Sequence, residues 1–214
     1  MKKLLVILLI LTIGEQKTYS SGSNFHETIL ENTVLISEEP WDGIIVGIGT
    51  GFLIRDDKEK TYLVTARHVV FPSSNEYLYI SKTIEKPNYL KKIDIKKFII
   101  SSDFDIAIAL IDNATSSITT DILYRFKNRL IIDSFAIGYP KNPLEPIFRS
   151  GLFHFFDPNL EADVDMVTIS GDSGGPVYSV DLGKILGIRV AVDSERQYGL
   201  VIPSNHILAM IRKQ

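Results

Sequence analysis

Apolar and polar residues alternate in short blocks from about residue 43 to residue 203, a pattern typical of β-strands with one face in a core. The blocks Thr50–Arg55 and Thr61–Ala66 flank the charged turn Asp56–Lys60, and together they predict a hairpin. A short helix is predicted after the last block, capped by Ser204 or Asn205. The pattern therefore indicates an all-β protein with a C-terminal helix.

Strand patterns occur on both sides of a polar segment, Asn113–Arg129, that we expect to bridge two halves of the molecule. We place the halves at about residues 43–115 and 128–203, and residues 23–42 are expected to form an irregular arm in which His26 is a solvated side chain. The other strand candidates are Gly43–Ile48, Glu76–Lys82, Lys92–Ser101, Leu130–Tyr139, Ile147–Phe156, Pro176–Val180, Lys184–Val192 and Tyr198–Pro203.

The N-terminus has the pattern of a signal peptide. Lys2 and Lys3 precede the apolar run Leu4–Ile13, and small or polar residues follow as far as Gly22. The run is shorter than the roughly 20 residues that a membrane-spanning helix needs, so we expect no stable membrane anchor. Residues 1–22 are thus predicted to be a signal peptide and residues 23–214 the exported domain, in the periplasm or secreted.

Composition narrows the function classes. The 214 residues are 45% hydrophobic and 23% charged with a net charge of −3, and no long basic run suggests a nucleic-acid partner. No cysteine is present, so disulfides and a lipid-modified cysteine are excluded. No second histidine follows His26 at the spacing of a zinc-protease helix, and we expect neither a metal nor a cofactor.

Ser173 lies in the stretch Gly171-Asp-Ser-Gly-Gly-Pro-Val177, where glycines flank a hydroxyl. Glycine adopts positive φ and lets an incoming chain approach, so that successive backbone N–H groups can face one oxygen. These are the features of a serine nucleophile beside an oxyanion hole. The alternative is a plain glycine-rich turn before a strand.

Two further residues complete a candidate constellation. His68 follows a predicted strand, and an imidazole is suited to take up a hydroxyl proton near neutral pH. Asp105 directly precedes the apolar run Ile106–Leu110, and a carboxylate at the start of this predicted strand can orient the imidazole. Asp103 is the competing carboxylate, but it lies further from the apolar run and is expected to face solvent.

Several of these motifs resemble those of trypsin-like (chymotrypsin-fold) serine proteases. The stretch Gly171–Val177 resembles their nucleophile motif, Thr65-Ala-Arg-His-Val-Val70 their Thr-Ala-Ala-His motif, and Asp105-Ile-Ala-Ile-Ala-Leu110 their Asp-Ile-Ala-Leu pattern. Phe135–Pro140 and Tyr198–Asn205 resemble segments of the bacterial HtrA-like members. Those relatives often continue into a PDZ domain, which we do not expect in this chain.

The resemblance implies a fold of two antiparallel six-stranded β-barrels with a short C-terminal helix. It implies a serine endopeptidase acting on a protein or peptide, in which Ser173 attacks, His68 transfers the proton and Asp105 orients His68. Backbone N–H groups of Gly171 and Ser173 would bind the oxyanion. A catalytically silent peptide-binding module on the same fold is the main alternative, and a general esterase is another.

Substrate preference is expected to depend on three pocket positions. Val167 stands where trypsins carry the carboxylate that attracts lysine or arginine, so cleavage after basic residues is disfavoured. Thr168 and Arg189 lie near positions where glutamate-specific relatives place a threonine and a histidine, which suggests an acidic P1 residue. The alternative is that Arg189 points outward from its strand.

Overall fold

The structure is a computed structural model, which describes residues 20–38, 47–71, 75–81, 91–140, 145–157, 161–193 and 198–214. Its strands form one open sheet and one closed barrel, and a short helix ends the chain. The prediction of an all-β protein with a C-terminal helix is confirmed. Within the described ranges, no helix has the length and apolar character needed to cross a membrane.

The N-terminal half forms an antiparallel sheet of seven described strands in the order β5-β4-β1-β2-β3-β7-β6. These strands are β1 (Thr33–Ser37), β2 (Gly47–Arg55), β3 (Thr61–Thr65), β4 (Tyr77–Ser81), β5 (Lys91–Asp94), β6 (Phe98–Ile100) and β7 (Ala107–Leu110).

Six strands closed into a barrel were expected in this half, whereas the described residues form an open sheet of seven strands. The predicted strands Gly43–Ile48 and Thr50–Arg55 meet in the single strand β2, and two further local features differ from the prediction. The segment that becomes β1 was expected to be irregular, yet all five of its residues are buried and it pairs with both β2 and β4. The strand predicted at Lys92–Ser101 is divided by a 3₁₀ turn at Ile95–Lys97, where the Asp94 carboxylate accepts a hydrogen bond from the Lys96 N–H. Residues 43–46 of the first predicted strand lie outside the described residues.

The C-terminal half forms a closed six-stranded barrel, as predicted, in the order β10-β13-β12-β11-β8-β9. Its strands are β8 (Leu130–Gly138), β9 (Ile147–Phe155), β10 (Ala162–Val164), β11 (Pro176–Ser179), β12 (Lys184–Asp193) and β13 (Tyr198–Pro203). Its interior is filled by buried apolar side chains, among them Phe126, Phe153, Phe155, Val177 and Val201.

In the described part of the chain, three α-helices accompany the sheets: α1 (Ser20–Asn32), α2 (Arg67–Val70) and α3 (Ser204–Arg212). The expectation of an irregular arm is wrong for residues 20–32, because they form α1. Ile29 of this helix is fully buried, and Phe25 and His26 contact Tyr178 in β11 of the barrel. His26 is not a freely solvated side chain. Its Nδ1 lies 2.7 Å from the Tyr178 hydroxyl, and burial lowers its pKa.

The polar segment that follows β7 contacts both halves, as predicted. Thr119 forms a bridge with Arg55 at the end of β2, and Leu123 forms a second bridge with Ile185 in β12. The larger core cluster likewise contains residues of both halves, including Ile54 and Ile188. The two sheets are therefore packed against each other, and the candidate catalytic residues lie along this junction.

Candidate active site

His68 and Asp105 are brought together by the pairing of β3 with β7. These strands are antiparallel, with Thr65 opposite Ala107, so the residues after β3 and before β7 lie at the same edge of the sheet. The backbone N–H of Arg67 donates to the Asp105 carbonyl at 3.2 Å, which fixes that edge. The register of a single strand pair therefore places the imidazole beside the carboxylate.

The carboxylate of Asp105 contacts His68 through both oxygens. Its Oδ2 lies 2.6 Å from Nδ1 of the ring, and its Oδ1 accepts the His68 backbone N–H at 2.9 Å. Burial acts to raise the pKa of Asp105, but the hydrogen bonds from His68 and the charges of His68 and Arg67 outweigh it, and the pKa is lowered. The carboxylate is thus ionised at neutral pH and holds Nδ1 as the protonated nitrogen.

The loop that carries Ser173 depends on positive φ at two glycines. Gly171 has φ of +100° and Gly174 has φ of +88°. A Cβ on Gly174 would collide with the Thr50 carbonyl oxygen and the Thr65 hydroxyl, so a larger residue is excluded on steric as well as conformational grounds. The loop therefore lies directly on β2 and on the end of β3, the strand that leads to His68.

Thr50 of β2 joins the nucleophile loop to the N-terminal sheet. Its N–H donates to the Ser173 carbonyl at 2.8 Å, and its hydroxyl donates to the Gly171 carbonyl at 2.7 Å. The same hydroxyl accepts from the Tyr139 N–H, while the Thr65 hydroxyl donates to the Thr50 carbonyl. This buried network fixes the position of Ser173 relative to the edge that holds His68 and Asp105.

The Ser173 hydroxyl donates to the Val190 carbonyl at 3.3 Å, and within the described residues no hydrogen bond joins it to His68. The described residues also provide no acceptor for the N–H groups of Gly171 and Ser173. Two backbone donors beside the hydroxyl are thus available to bind an oxygen that becomes negative.

Asp172 has buried partners that the sequence interpretation missed. Its side chain is completely buried, and Oδ2 accepts from the Ile169 N–H at 3.0 Å and from Arg149 Nε at 3.3 Å. A guanidinium nitrogen of Arg189 lies 3.4 Å from the same oxygen. The sequence did contain a signal for these partners, because arginines inside the apolar strands β9 and β12 need an opposite charge or a hydrogen-bond acceptor when they are buried.

The three predicted pocket residues differ in exposure. Val167 is 67% exposed, while Thr168 is half-buried and its hydroxyl lies close to Gly199. Arg189 is completely buried, so the alternative that it points outward from its strand is wrong. Its charge is engaged by Asp172, and its role in recognising a substrate remains a prediction.

Two solved structures share this arrangement of strands. The crystal structure of the serine endoprotease from Yersinia pestis matches with a TM-score of 0.64 and 19% identity, over 90% of this chain and 65% of that one. This chain therefore spans less than two thirds of that protein. An inactive serine-to-alanine mutant of Rv3671c from M. tuberculosis H37Rv matches with a TM-score of 0.56 and 16% identity, over 92% of both chains. At these identities the likeness shows a common chymotrypsin-like fold.

No curated protein matches the sequence. The trypsin-like peptidase domain family, however, matches residues 49–188, a range that begins in β2 and ends in β12. The matched range contains His68, Asp105 and Ser173, together with the strands β3 and β7 that bring His68 and Asp105 to one sheet edge. With about two thirds of its length matched, this chain belongs to the family of trypsin-like peptidase domains.

Proposed function

We propose that this protein is an exported serine endopeptidase in which Ser173, His68 and Asp105 act as a catalytic triad. The observation that carries the proposal is the junction itself. The His68–Asp105 pair is hydrogen-bonded at one sheet edge, and Thr50 holds the Ser173 loop on the adjoining strand. Family membership gives this geometry its chemical interpretation.

In the proposed reaction, the Ser173 oxygen bonds to the substrate carbonyl carbon as its proton passes to Nε2 of His68. The carbonyl oxygen becomes negative and is bound by the N–H groups of Gly171 and Ser173. His68 then returns the proton to the amine as the carbon–nitrogen bond breaks. A water molecule hydrolyses the acyl-enzyme, with His68 again taking up and returning a proton.

The first step requires the Ser173 hydroxyl to leave the Val190 carbonyl. A rotation about χ1 moves the oxygen from one staggered position to another, with little cost compared with the barrier of the reaction. In enzymes without bound substrate, catalytic hydrogen bonds are often long or poorly aligned, and they become short only in the substrate complex. In the proposed enzyme, the hydroxyl position observed without substrate would be that of the resting state.

Digestion of casein by the protein and by Ser173→Ala tests this proposal. We expect the parent to cleave casein and the alanine variant to lose at least about 10⁴-fold in rate, as removal of a triad nucleophile does. A parent that binds peptides tightly but cleaves neither casein nor ester substrates would instead support the silent binding module. The contact of the Ser173 hydroxyl with Val190 is the observation that favours that alternative.

For specificity, we propose that the site prefers an acidic P1 residue. The guanidinium nitrogens of Arg189 donate no hydrogen bond to a described residue, and two arginines surround the single carboxylate of Asp172. Since Arg189 is enclosed, its attraction for a P1 carboxylate acts through its field and not by contact. Peptides that differ only at P1 test this: a preference for glutamate over glutamine supports it, and a preference for valine or leucine overturns it.

Export is proposed on the N-terminal sequence, Lys2 and Lys3 followed by the apolar run Leu4–Ile13. Fractionation of cells that express the full chain tests it. Loss of a fragment of about 20 residues and recovery outside the cytoplasm are expected. An intact N-terminus in the cytoplasmic fraction would overturn this part of the proposal.

A further inference from the structure

A cavity lies between helix α1 and strands of the C-terminal barrel. Its volume is about 810 Å³, within the roughly 300–1,000 Å³ of pockets that bind small ligands. Its walls come from α1, from β8 and β9, and from the residues that follow β10 and β11. The described residues that line it do not include His68, Asp105 or Ser173, so the proposed reaction gives this cavity no role.

Helix α1 contributes His26 to the wall, and aromatic residues of the barrel fix the position of this ring. Its Nδ1 lies 2.7 Å from the Tyr178 hydroxyl. The ring also meets Phe135 edge to face, at a centroid distance of 4.7 Å, and Phe135 itself lines the cavity. Burial lowers the pKa of His26, so the ring is uncharged at neutral pH. The wall therefore contains uncharged aromatic rings.

Three carboxylates supply the charge of the cavity. Asp133 lies on β8, Asp165 follows β10, and Asp181 lies in the turn between β11 and β12. All three are exposed, and within the described residues no ion pair engages them. The lining residues that the structure describes include no lysine or arginine. At neutral pH the cavity therefore carries three negative charges that no described lining residue offsets.

The position of Asp165 depends on a glycine in the neighbouring strand. The Asp165 N–H donates to the Leu152 carbonyl at 2.8 Å, so the segment after β10 continues along β9. A Cβ on Gly151 would collide with the Asp165 carbonyl oxygen, and only glycine permits this close approach. Leu152 is 40% exposed and also lines the cavity. The backbone therefore places a carboxylate and an apolar side chain in the same wall.

These walls fit a cationic side chain that has apolar neighbours. Carboxylates attract a cation, and a guanidinium group also stacks on aromatic rings. Leu152 and Val180 favour the burial of aliphatic groups of the same ligand. Within the described ranges, no three histidine or acidic side chains could hold a metal ion, so the carboxylates do not form a metal site. Arginine between apolar residues combines the features that the walls require.

We propose that this cavity is a second binding site, which takes a peptide segment with an arginine between apolar residues. The chain belongs to a family of peptidase domains, so a polypeptide is the ligand class that we infer. The inference goes beyond the proposed function, because it requires a peptide to bind at the cavity and not to be cleaved there. Such a site would select substrates by a segment remote from the bond that is cut.

The test titrates the Ser173→Ala protein, which leaves the peptides intact, with acetylated and amidated pentapeptides. The probe is Ala-Leu-Arg-Leu-Ala, and the comparison peptides are Ala-Leu-Gln-Leu-Ala and Ala-Ser-Arg-Ser-Ala. We expect calorimetry to show about 10-fold or more weaker binding of the glutamine peptide, because it loses the ion pairs and the aromatic contact of the guanidinium. The serine-flanked peptide should bind about 5-fold or more weakly, because it buries less apolar surface.

Variants of the carboxylates locate the binding site. Asp133→Asn, Asp165→Asn and Asp181→Asn each remove one charge and keep the size of the side chain. Each should weaken binding of the arginine peptide by about 2–5-fold and leave the glutamine peptide unaffected. Asp57→Asn is the matched control, because Asp57 is exposed and does not line the cavity, and it should match the parent. Thermal unfolding shows whether each variant is folded.

The imidazole signals in an NMR spectrum distinguish the cavity from the proposed active site. His26 lines the cavity, whereas His68 contacts Asp105 in the proposed triad. Replacement of each histidine by glutamine assigns its signal. Addition of the arginine peptide should shift the His26 signal and leave the His68 signal unchanged.

Three results would overturn the inference. The first is a shift of the His68 signal without one of His26. The second is equal affinity for the arginine and glutamine peptides, and the third is that spermine binds as tightly as the arginine peptide, which would indicate a general attraction for cations. Failure of the proposed function gives a different result, because an inactive parent can still bind the arginine peptide at the cavity. The expected affinities, together with the shift of His26, would support the second binding site.

Discussion

Replacing Asp105 by asparagine changes one atom at the centre of the proposed triad. The carboxylate now accepts from Nδ1 of His68 at 2.6 Å and from the His68 backbone N–H at 2.9 Å. An asparagine that turns its oxygen toward Nδ1 must point its NH₂ group at the backbone N–H, which is also a donor. Turned the other way, the NH₂ group faces Nδ1 and forces the ring proton onto Nε2, where it blocks acceptance from Ser173.

Either orientation of asparagine therefore leaves the imidazole unable to act as the base in its present position. We expect kcat to fall by about 10⁴-fold, the magnitude found for this substitution in a serine protease, which is about 5 kcal/mol in the barrier. The loss of folding stability should be smaller, on the order of 1–2 kcal/mol for the altered hydrogen bonds. Steady-state hydrolysis of a peptide ester or anilide, together with thermal unfolding, measures both effects.

Asp103→Asn is the matched control, because Asp103 is the competing carboxylate and is exposed. Its hydrogen bond with the Ser102 hydroxyl is local, and its replacement should leave kcat within about twofold of the parent. Asp105 does not orient the catalytic imidazole if Asp105→Asn retains more than a tenth of the parental kcat, or if Asp103→Asn causes the larger loss.

Three further predictions concern stability. Gly174→Ala should lower the melting temperature sharply, because its Cβ collides with the Thr50 carbonyl oxygen. The Cβ of Gly183→Ala meets open space, and this variant should lose only the cost of φ of +58°, about 1 kcal/mol. Equal effects of the two variants in thermal unfolding would contradict this. Thr50→Val removes the hydrogen bonds of the Thr50 hydroxyl with the Tyr139 N–H and the Gly171 carbonyl. Calorimetry should show a loss of about 1–3 kcal/mol in the free energy of unfolding, and an unchanged stability would count against the network. Burial lowers the pKa of His26, so the unfolded chain binds a proton at this residue more readily than the folded chain does, and stability should fall as pH drops through about 6.5. Melting curves of His26→Gln should lack this pH-dependent loss. Identical pH profiles of the parent and the variant would exclude a contribution from His26.

Residues that lie in short, recognisable sequence motifs could be predicted from the sequence. The strand before His68 and the apolar run after Asp105 are each visible within a few residues, and so are the glycines around Ser173. Their chain order then implied the fold. The structure confirms the strand edges that bring His68 and Asp105 together.

Helix α1 was not predicted because the contacts that stabilise it involve residues far along the chain. Its sequence contains serine, glycine, asparagine and threonine, which favour caps and turns over helix interiors, so its intrinsic preference is weak. Its stability comes from contacts far along the chain, including those of Phe25 and His26 with Tyr178. Tertiary packing outweighs the local preference here.

The partners of Asp172 were missed for a related reason. Arg149 and Arg189 lie in different strands of the barrel, and their convergence depends on the register of β8, β9 and β12. A sequence pattern can show that a charged residue lies in an apolar strand, but it does not show which opposite charge it meets. For this reason the sequence analysis assigned Arg189 only to a substrate pocket and did not predict its contact with Asp172.

If Ser173 is an activated nucleophile, a fluorophosphonate should acylate its hydroxyl. Intact-mass measurement and peptide mapping of the labelled protein should show one adduct, on Ser173, at a rate that falls by orders of magnitude in His68→Ala. The adduct should be absent in Ser173→Ala. A folded parent that remains unlabelled, or that is labelled at another residue, would show that Ser173 is not an activated nucleophile.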